Sequence, residues 1–143
     1  MKTLERTVRV DKPLDRVYDY LVDFENSEEW DAGTVRTTRT EGDGGVGTTY
    51  ENVSRFMGKE TTLTYVVIAL EQPRTIALRG ANKTVIAHDT MRLTGDGDHT
   101  EVHYTAEFEF LGFARYLEPL LTLPLKRLGD DAEDSLRLAL QRL

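Results

Sequence analysis

Residues 112–143 constrain this chain more than any other stretch. Apolar side chains recur there at helical spacing: Phe113, Tyr116, Leu117, Leu120 and Leu121, then Leu125, Leu128, Ala132, Leu136, Ala139 and Leu143. Glu118, Lys126, Arg127, Asp130, Asp131, Glu133, Asp134 and Arg137 occupy much of the remainder. This is a long amphipathic helix, and its apolar stripe must be buried against something. Pro119 and Pro124 fall inside the pattern. Each lacks an amide donor and disfavours a helical predecessor, so the spacing predicts a kink, or a short helix followed by a long one. Most of what precedes it reads as strands, so the expectation is a sheet wrapped around this helix.

The chain has 143 residues, enough for one domain that buries about 68–70% of its unfolded surface. It has no cysteine, which excludes a disulfide framework and a thiolate site. The first residues, MKTLERTVRVDK, are too charged for a secretory signal, and no apolar run is long enough for a membrane helix. A cytoplasmic protein is the expectation. The formal net charge of −7 argues against a nucleic-acid partner, because phosphate contacts need clustered Lys and Arg.

Thr3 to Val10 alternates, with Leu4, Val8 and Val10 on one face and Arg6 as the exception on that face. Pro13 suits a helix's first turn. Leu14, Val17, Tyr18, Leu21 and Val22 then follow the pattern of a short amphipathic helix, and 23–31 reads as a second one anchored by Phe24 and Trp30. From Thr34 the pattern is strands near 34–41, 47–56, 60–70, 74–80, 84–94 and 99–110. They are separated by Gly42-Asp43-Gly44-Gly45, Met57-Gly58, Glu71-Gln72-Pro73, Ala81-Asn82-Lys83 and Gly95-Asp96-Gly97-Asp98. The class is α+β.

Taking Asp96-Gly97 as a two-residue turn pairs Met91 with Val102, Asp89 with Tyr104, Ala87 with Ala106 and Val85 with Phe108. One face is then nearly all apolar and the other mostly polar, as a half-buried sheet requires. The same parity places Ile76, Leu78, Leu63, Tyr65, Val67, Ala69, Tyr50, Asn52, Ser54 and Phe56 on the inner face. Val66, Ile68 and Ile86 point outward, a small patch that could serve a weak homodimer.

The inner face thus carries Arg6, Tyr50, Asn52, Ser54, Tyr65, Asp89 and Tyr104, which a plain core would not choose. A desolvated carboxylate without a partner is costly or has a raised pKa, so Asp89 needs a donor: Tyr104, Arg6 if it reaches across, or a ligand. Two readings stand. These groups orient a mostly apolar ligand in a pocket, or they satisfy one another in a buried network or an open cavity mouth. Acid–base chemistry would fall to Asp89 and Tyr104.

The order strand, two short helices, six strands, long helix resembles the helix-grip fold of the START/Bet v 1-like (SRPBCC) superfamily. In detail it resembles the polyketide cyclase/dehydrase and lipid-transport family. The residues carrying the resemblance are Val10-Asp11-Lys12-Pro13 running into Val17-Tyr18-Asp19-Tyr20-Leu21, and Asn26 followed by Trp30. Gly47-Thr48 before Tyr50, Leu63-Thr64-Tyr65-Val66-Val67 before Pro73-Arg74, and Thr100-Glu101-Val102 complete it. The resemblance spans the whole chain, 1–143, as one ligand-binding domain. It implies a curved seven-stranded antiparallel sheet gripping the C-terminal helix, with a cavity between them for a small hydrophobic molecule. No cofactor or metal is implied. The expected ligand-binding residues are Tyr50, Asn52, Leu63, Tyr65, Val67, Ile76, Leu78, Asp89, Met91, Tyr104, Leu117, Leu121 and Leu128. A lipid, polyketide or quinone-like ligand is the first expectation, a cyclase or dehydratase acting through that cavity the second, and an antitoxin-like protein-interaction module the third.

Other patterns point elsewhere only on the surface. Gly42, Gly44 and Gly47 spell G-x-G-x-x-G, but a strand follows where a dinucleotide site needs a helix; a hairpin at the cavity rim is expected. His88, His99 and His103 lie on strands or turns without a third ligand, so surface roles are expected.

Overall fold

The computed structural model describes all residues, 1–143. Strand β1 (Lys2–Val10) leads into helix α1 (Leu14–Val22), a single 3-10 turn (Phe24–Asn26) and the one-turn helix α2 (Ser27–Trp30). Six strands follow: β2 (Thr34–Glu41), β3 (Thr49–Phe56), β4 (Lys59–Glu71), β5 (Thr75–Ala81), β6 (Val85–Gly95) and β7 (Thr100–Phe110). A 3-10 segment (Gly112–Leu121) precedes the long helix α3 (Thr122–Gln141). The strands form one antiparallel sheet in the order β1-β7-β6-β5-β4-β3-β2. This is the helix-grip architecture, and no helix is long and apolar enough to cross a membrane.

The core lies between the inner face of the sheet, α1 and the C-terminal half of α3. Val8, Val17, Leu21, Ile76, Leu78, Met91, Leu93, Val102 and Leu140 are all at most 1% exposed. Alternation therefore assigns most side chains to the right face. Two details differ. Residues 96–99 form a four-residue loop in place of a two-residue turn, because Asp96 Oδ1 accepts from the backbone N–H groups of Asp98 and His99. The β6–β7 register moves by two: Leu93 pairs with Val102, Met91 with Tyr104 and Asp89 with Ala106. An even shift preserves the faces but makes Asp89 and Tyr104 diagonal, not direct, neighbours. In β4, a bulge between Val67 and Ala69 inverts the parity beyond it, so Leu70 pairs with Ile76 and Ala69 is exposed. Of the outward patch, Ile68 is exposed and Val66 and Ile86 are half-buried.

The prolines divide the C-terminal stretch as their chemistry demands. Pro119 lies within the 3-10 segment, and Pro124 sits in the first turn of α3, where its missing N–H costs nothing. No residue of the 3-10 segment is buried, and Phe113, Tyr116 and Leu120 are largely exposed.

The sheet's far edge is managed by acids. Glu28 and Glu25 accept from the backbone N–H groups of Thr37 and Arg39 on β2, which would otherwise be open to another strand. Inside, Ser27 Oγ, Thr37 Oγ1 and Asn52 Nδ2 form a buried chain at 2.7 and 2.8 Å that ties α2 to β2 and β3.

Candidate functional site

The C-terminal half of α3 closes the core with Leu136, Ala139 and Leu140. Its middle turns roof a cavity with about 100 Å³ of free space. Leu128, Gly129, Ala132, Glu133 and Leu136 form the roof; Asn52, Ser54, Leu63, Tyr65, Asp89, Tyr104, Ala106 and Phe108 form the floor. Phe24, Trp30, Asp31 and Gly33 close one side, Leu4 and Arg6 another, and Arg55 and Phe56 stand at the end. Arg55, Phe56 and Leu128 also line a surface groove that continues toward Leu123, Pro124 and Arg127.

Two glycines make room for this arrangement. A Cβ on Gly80 would lie 2.6 Å from the ring of its cross-strand partner Tyr65, so the phenol lies flat over bare backbone. A Cβ on Gly129 would lie 2.9 Å from the Arg6 guanidinium. Arg6 therefore crosses under α3, where it binds Asp130 Oδ1 at 2.9 Å and the Lys126 carbonyl at 3.3 Å, with Glu133 at 3.9 Å. It does not partner Asp89, although it sits opposite Tyr104 in the sheet. Asp130 remains exposed while it forms half of this pair.

Asp89 is 6% exposed, and its donor is Tyr104, whose hydroxyl lies 2.9 Å from Oδ2. Burial pushes the Asp89 carboxyl up to about 7; the hydrogen bond from Tyr104 opposes this and the neighbouring Asp31 adds to it. Asp31 is raised chiefly by burial, against the pull of the Gly33 amide and the Thr34 hydroxyl, which donate to its two oxygens at 3.1 and 3.0 Å. Burial, with the charges of Asp89 and Asp31, also lifts the Tyr65 and Tyr104 phenols well above their ordinary value. Both tyrosines thus stay protonated and can donate. Phe24, Trp30, Tyr65 and Tyr104 form an edge-to-face chain, with centroid separations of 4.9 Å for Phe24–Tyr65, 6.4 Å for Phe24–Trp30 and 5.9 Å for Trp30–Tyr104. Trp30 Nε1 is buried with no hydrogen-bond partner.

Of the expected ligand-binding residues, Asn52, Leu63, Tyr65, Asp89, Tyr104 and Leu128 line the cavity. Tyr50, Val67, Ile76, Leu78 and Met91 do not: they lie in the solid core farther along the sheet, under α1 and the end of α3. Leu117 and Leu121 also fall outside, because the 3-10 segment carries them past the sheet; Leu117 is 42% exposed. Among the residues missed by sequence reasoning are Asp31, Gly33, the aromatic wall of Phe24 and Trp30, and the α3 residues around Leu128. Asp31 ends a one-turn helix, and no periodicity marks where such a residue points. The Gly42–Gly47 hairpin joins β2 to β3 at the opposite end of β3 from the cavity, which its lining does not include. His99 pairs with Asp11 and His103 with Thr7.

Residues 1–140 match the family of polyketide cyclase/dehydrase and lipid transport proteins. The chain belongs to that family. No curated protein sequence matches it. Among solved structures, the family fold is shared with the Zhui aromatase/cyclase from a Streptomyces species, at 19% identity and a TM-score of 0.82. That match covers 99% of this chain and 94% of the other. A START superfamily protein from Mycobacterium smegmatis aligns at 12% identity and a TM-score of 0.65, covering 94% and 98%. Norcoclaurine synthase from Thalictrum flavum, in complex with dopamine and hydroxybenzaldehyde, aligns at 18% identity and a TM-score of 0.64, covering 99% and 88%. At these identities the likeness is one of fold.

Proposed function

We propose that this protein binds a small, mostly apolar molecule in the cavity beneath α3, its polar end held among Asp89, Tyr104 and Asp31. The observation that carries this reading is the combination of free space and unspent polar groups. A wall that is largely aromatic and aliphatic also holds the buried Asp89, the half-buried Asp31 and an indole N–H without an acceptor. The acids keep lone pairs beyond those that accept from Tyr104, Gly33 and Thr34, and in a self-contained core the indole N–H would have been given an acceptor. The binding residues of this reading are Phe24, Trp30, Asp31, Asn52, Leu63, Tyr65, Asp89, Tyr104 and Leu128. A single ring suits about 100 Å³, since an engineered apolar cavity of about 150 Å³ takes up benzene. A longer ligand would extend past Arg55 and Phe56 into the adjoining groove.

Native mass spectrometry of the purified protein, with organic extraction and a titration of an apolar fluorescent probe, tests the reading. Co-purified apolar mass, or saturable uptake of the probe that Leu128→Trp blocks, is the expected result. Protein that is empty and takes up no probe overturns it.

A second reading, a cyclase or dehydratase activity, is favoured by one feature. Asp89 titrates near 7 and is hydrogen-bonded to a phenol that stays protonated. A carboxyl poised there serves as base or acid near neutrality. In this reading Asp89 takes or returns a proton and Tyr104 donates to a developing oxyanion. Turnover of a polyketide-like substrate that survives Asp89→Asn would remove that mechanism.

A further inference from the structure

The charges around the cavity are matched unevenly. Both lining cations are used outside the aromatic wall: Arg6 on Asp130 and Glu133, Arg55 on Glu60 at the surface. Asp31 and Asp89 form no ion pair, and the charge of Asp31 adds to the cost of ionising Asp89. Beside them stand four aromatic rings, Phe24, Trp30, Tyr65 and Tyr104, all in the cavity wall. Ring faces carry negative potential, and a cation held against several of them is attracted without hydrogen bonding. Two acids lacking a counter-charge, set in an aromatic wall around free space, are complementary to one kind of occupant. The same wall holds the Trp30 N–H, a buried donor without an acceptor, which is rare and costly.

We propose that the polar end of the ligand is cationic: a protonated organic amine on a body of about one ring, its ammonium between Asp31 and Asp89 and the aromatic faces. The proposal rests on the cavity reading above and narrows it. Ammonium N–H groups donate to the free carboxylate lone pairs. The apolar body lies against Leu63 and Leu128, and an acceptor atom on the ligand answers Trp30. An anionic ligand would face two acids with no free cation, and a neutral hydrocarbon would leave both acids desolvated without a counter-charge.

Trp30 is the only tryptophan, so its emission reports occupancy of the cavity directly. The full-length protein is titrated at pH 8 with benzylamine and with its neutral counterpart benzyl alcohol, following Trp30 emission and confirming by calorimetry. The expected result is that the amine binds at least about tenfold more tightly. Asp89→Asn narrows the gap to within about threefold by weakening the amine, and Asp31→Asn, as a second variant, acts in the same direction. Benzyl alcohol binding as tightly as the amine overturns the cationic assignment and leaves the cavity reading standing. So does failure of both compounds when the apolar probe still binds; failure of all three overturns both.

Discussion

Asp89 links the site to the stability of the protein. Its carboxyl titrates near 7 when folded and near the ordinary carboxylate value when unfolded. Between about pH 4 and pH 7 the native state keeps a proton that the unfolded chain has released. Asp89 therefore lowers stability as pH rises through that window, and its effect is level on either side. Chemical unfolding of wild type and Asp89→Asn at pH 5 and pH 8 should show the difference moving in the variant's favour by about 3 kcal/mol at the higher pH. A pH-independent difference would mean that Asp89 is solvated. Tyr104→Phe removes the donor that favours the charged form, so the Asp89 titration moves to higher pH, measurable by carboxyl-carbon NMR.

At the scale of elements, Gly80 is the tightest constraint on the cavity floor. Gly80→Ala would drive a methyl into the Tyr65 ring, and overpacking of this kind costs roughly 1–3 kcal/mol. The ring has only the cavity to move into, so the variant should melt lower and also lose affinity for the apolar probe. The C-terminal stretch offers a contrast: Leu117→Ala and Leu121→Ala should leave probe binding unchanged, whereas Leu128→Ala should alter it. How legible the site was follows from these same elements. Alternation announced the inner face of most strands, because side chains in a strand have only two directions. Tyr104 was named as the donor to Asp89, but the direct cross-strand neighbour was not Tyr104: that depends on whether Asp96 organises two loop residues or four, and both satisfy the same alternation. Neither the bulge that turns Leu70 toward the core nor the long 3-10 segment leaves a mark in hydropathy. Asp31 was hidden because a one-turn helix has too few residues for a face to be read.

For the molecule as a whole, order should decline away from the sheet's centre. Hydrogen exchange should be slowest in β4, β5 and β6, the central strands paired on both sides, and fastest across Gly112–Leu121, which has no fully buried residue. Uniform protection over both regions would contradict this picture. The strand order has a further effect. β1 joins the sheet only through β7, with Lys2 opposite Phe108, and Arg6 then meets Asp130 on the helix after that. The first strand made thus waits, with its apolar side uncovered, until nearly everything else has been synthesised. Such late closure over a large sequence separation makes for slow assembly, and leaves nascent chains reliant on whatever shields that strand in the meantime.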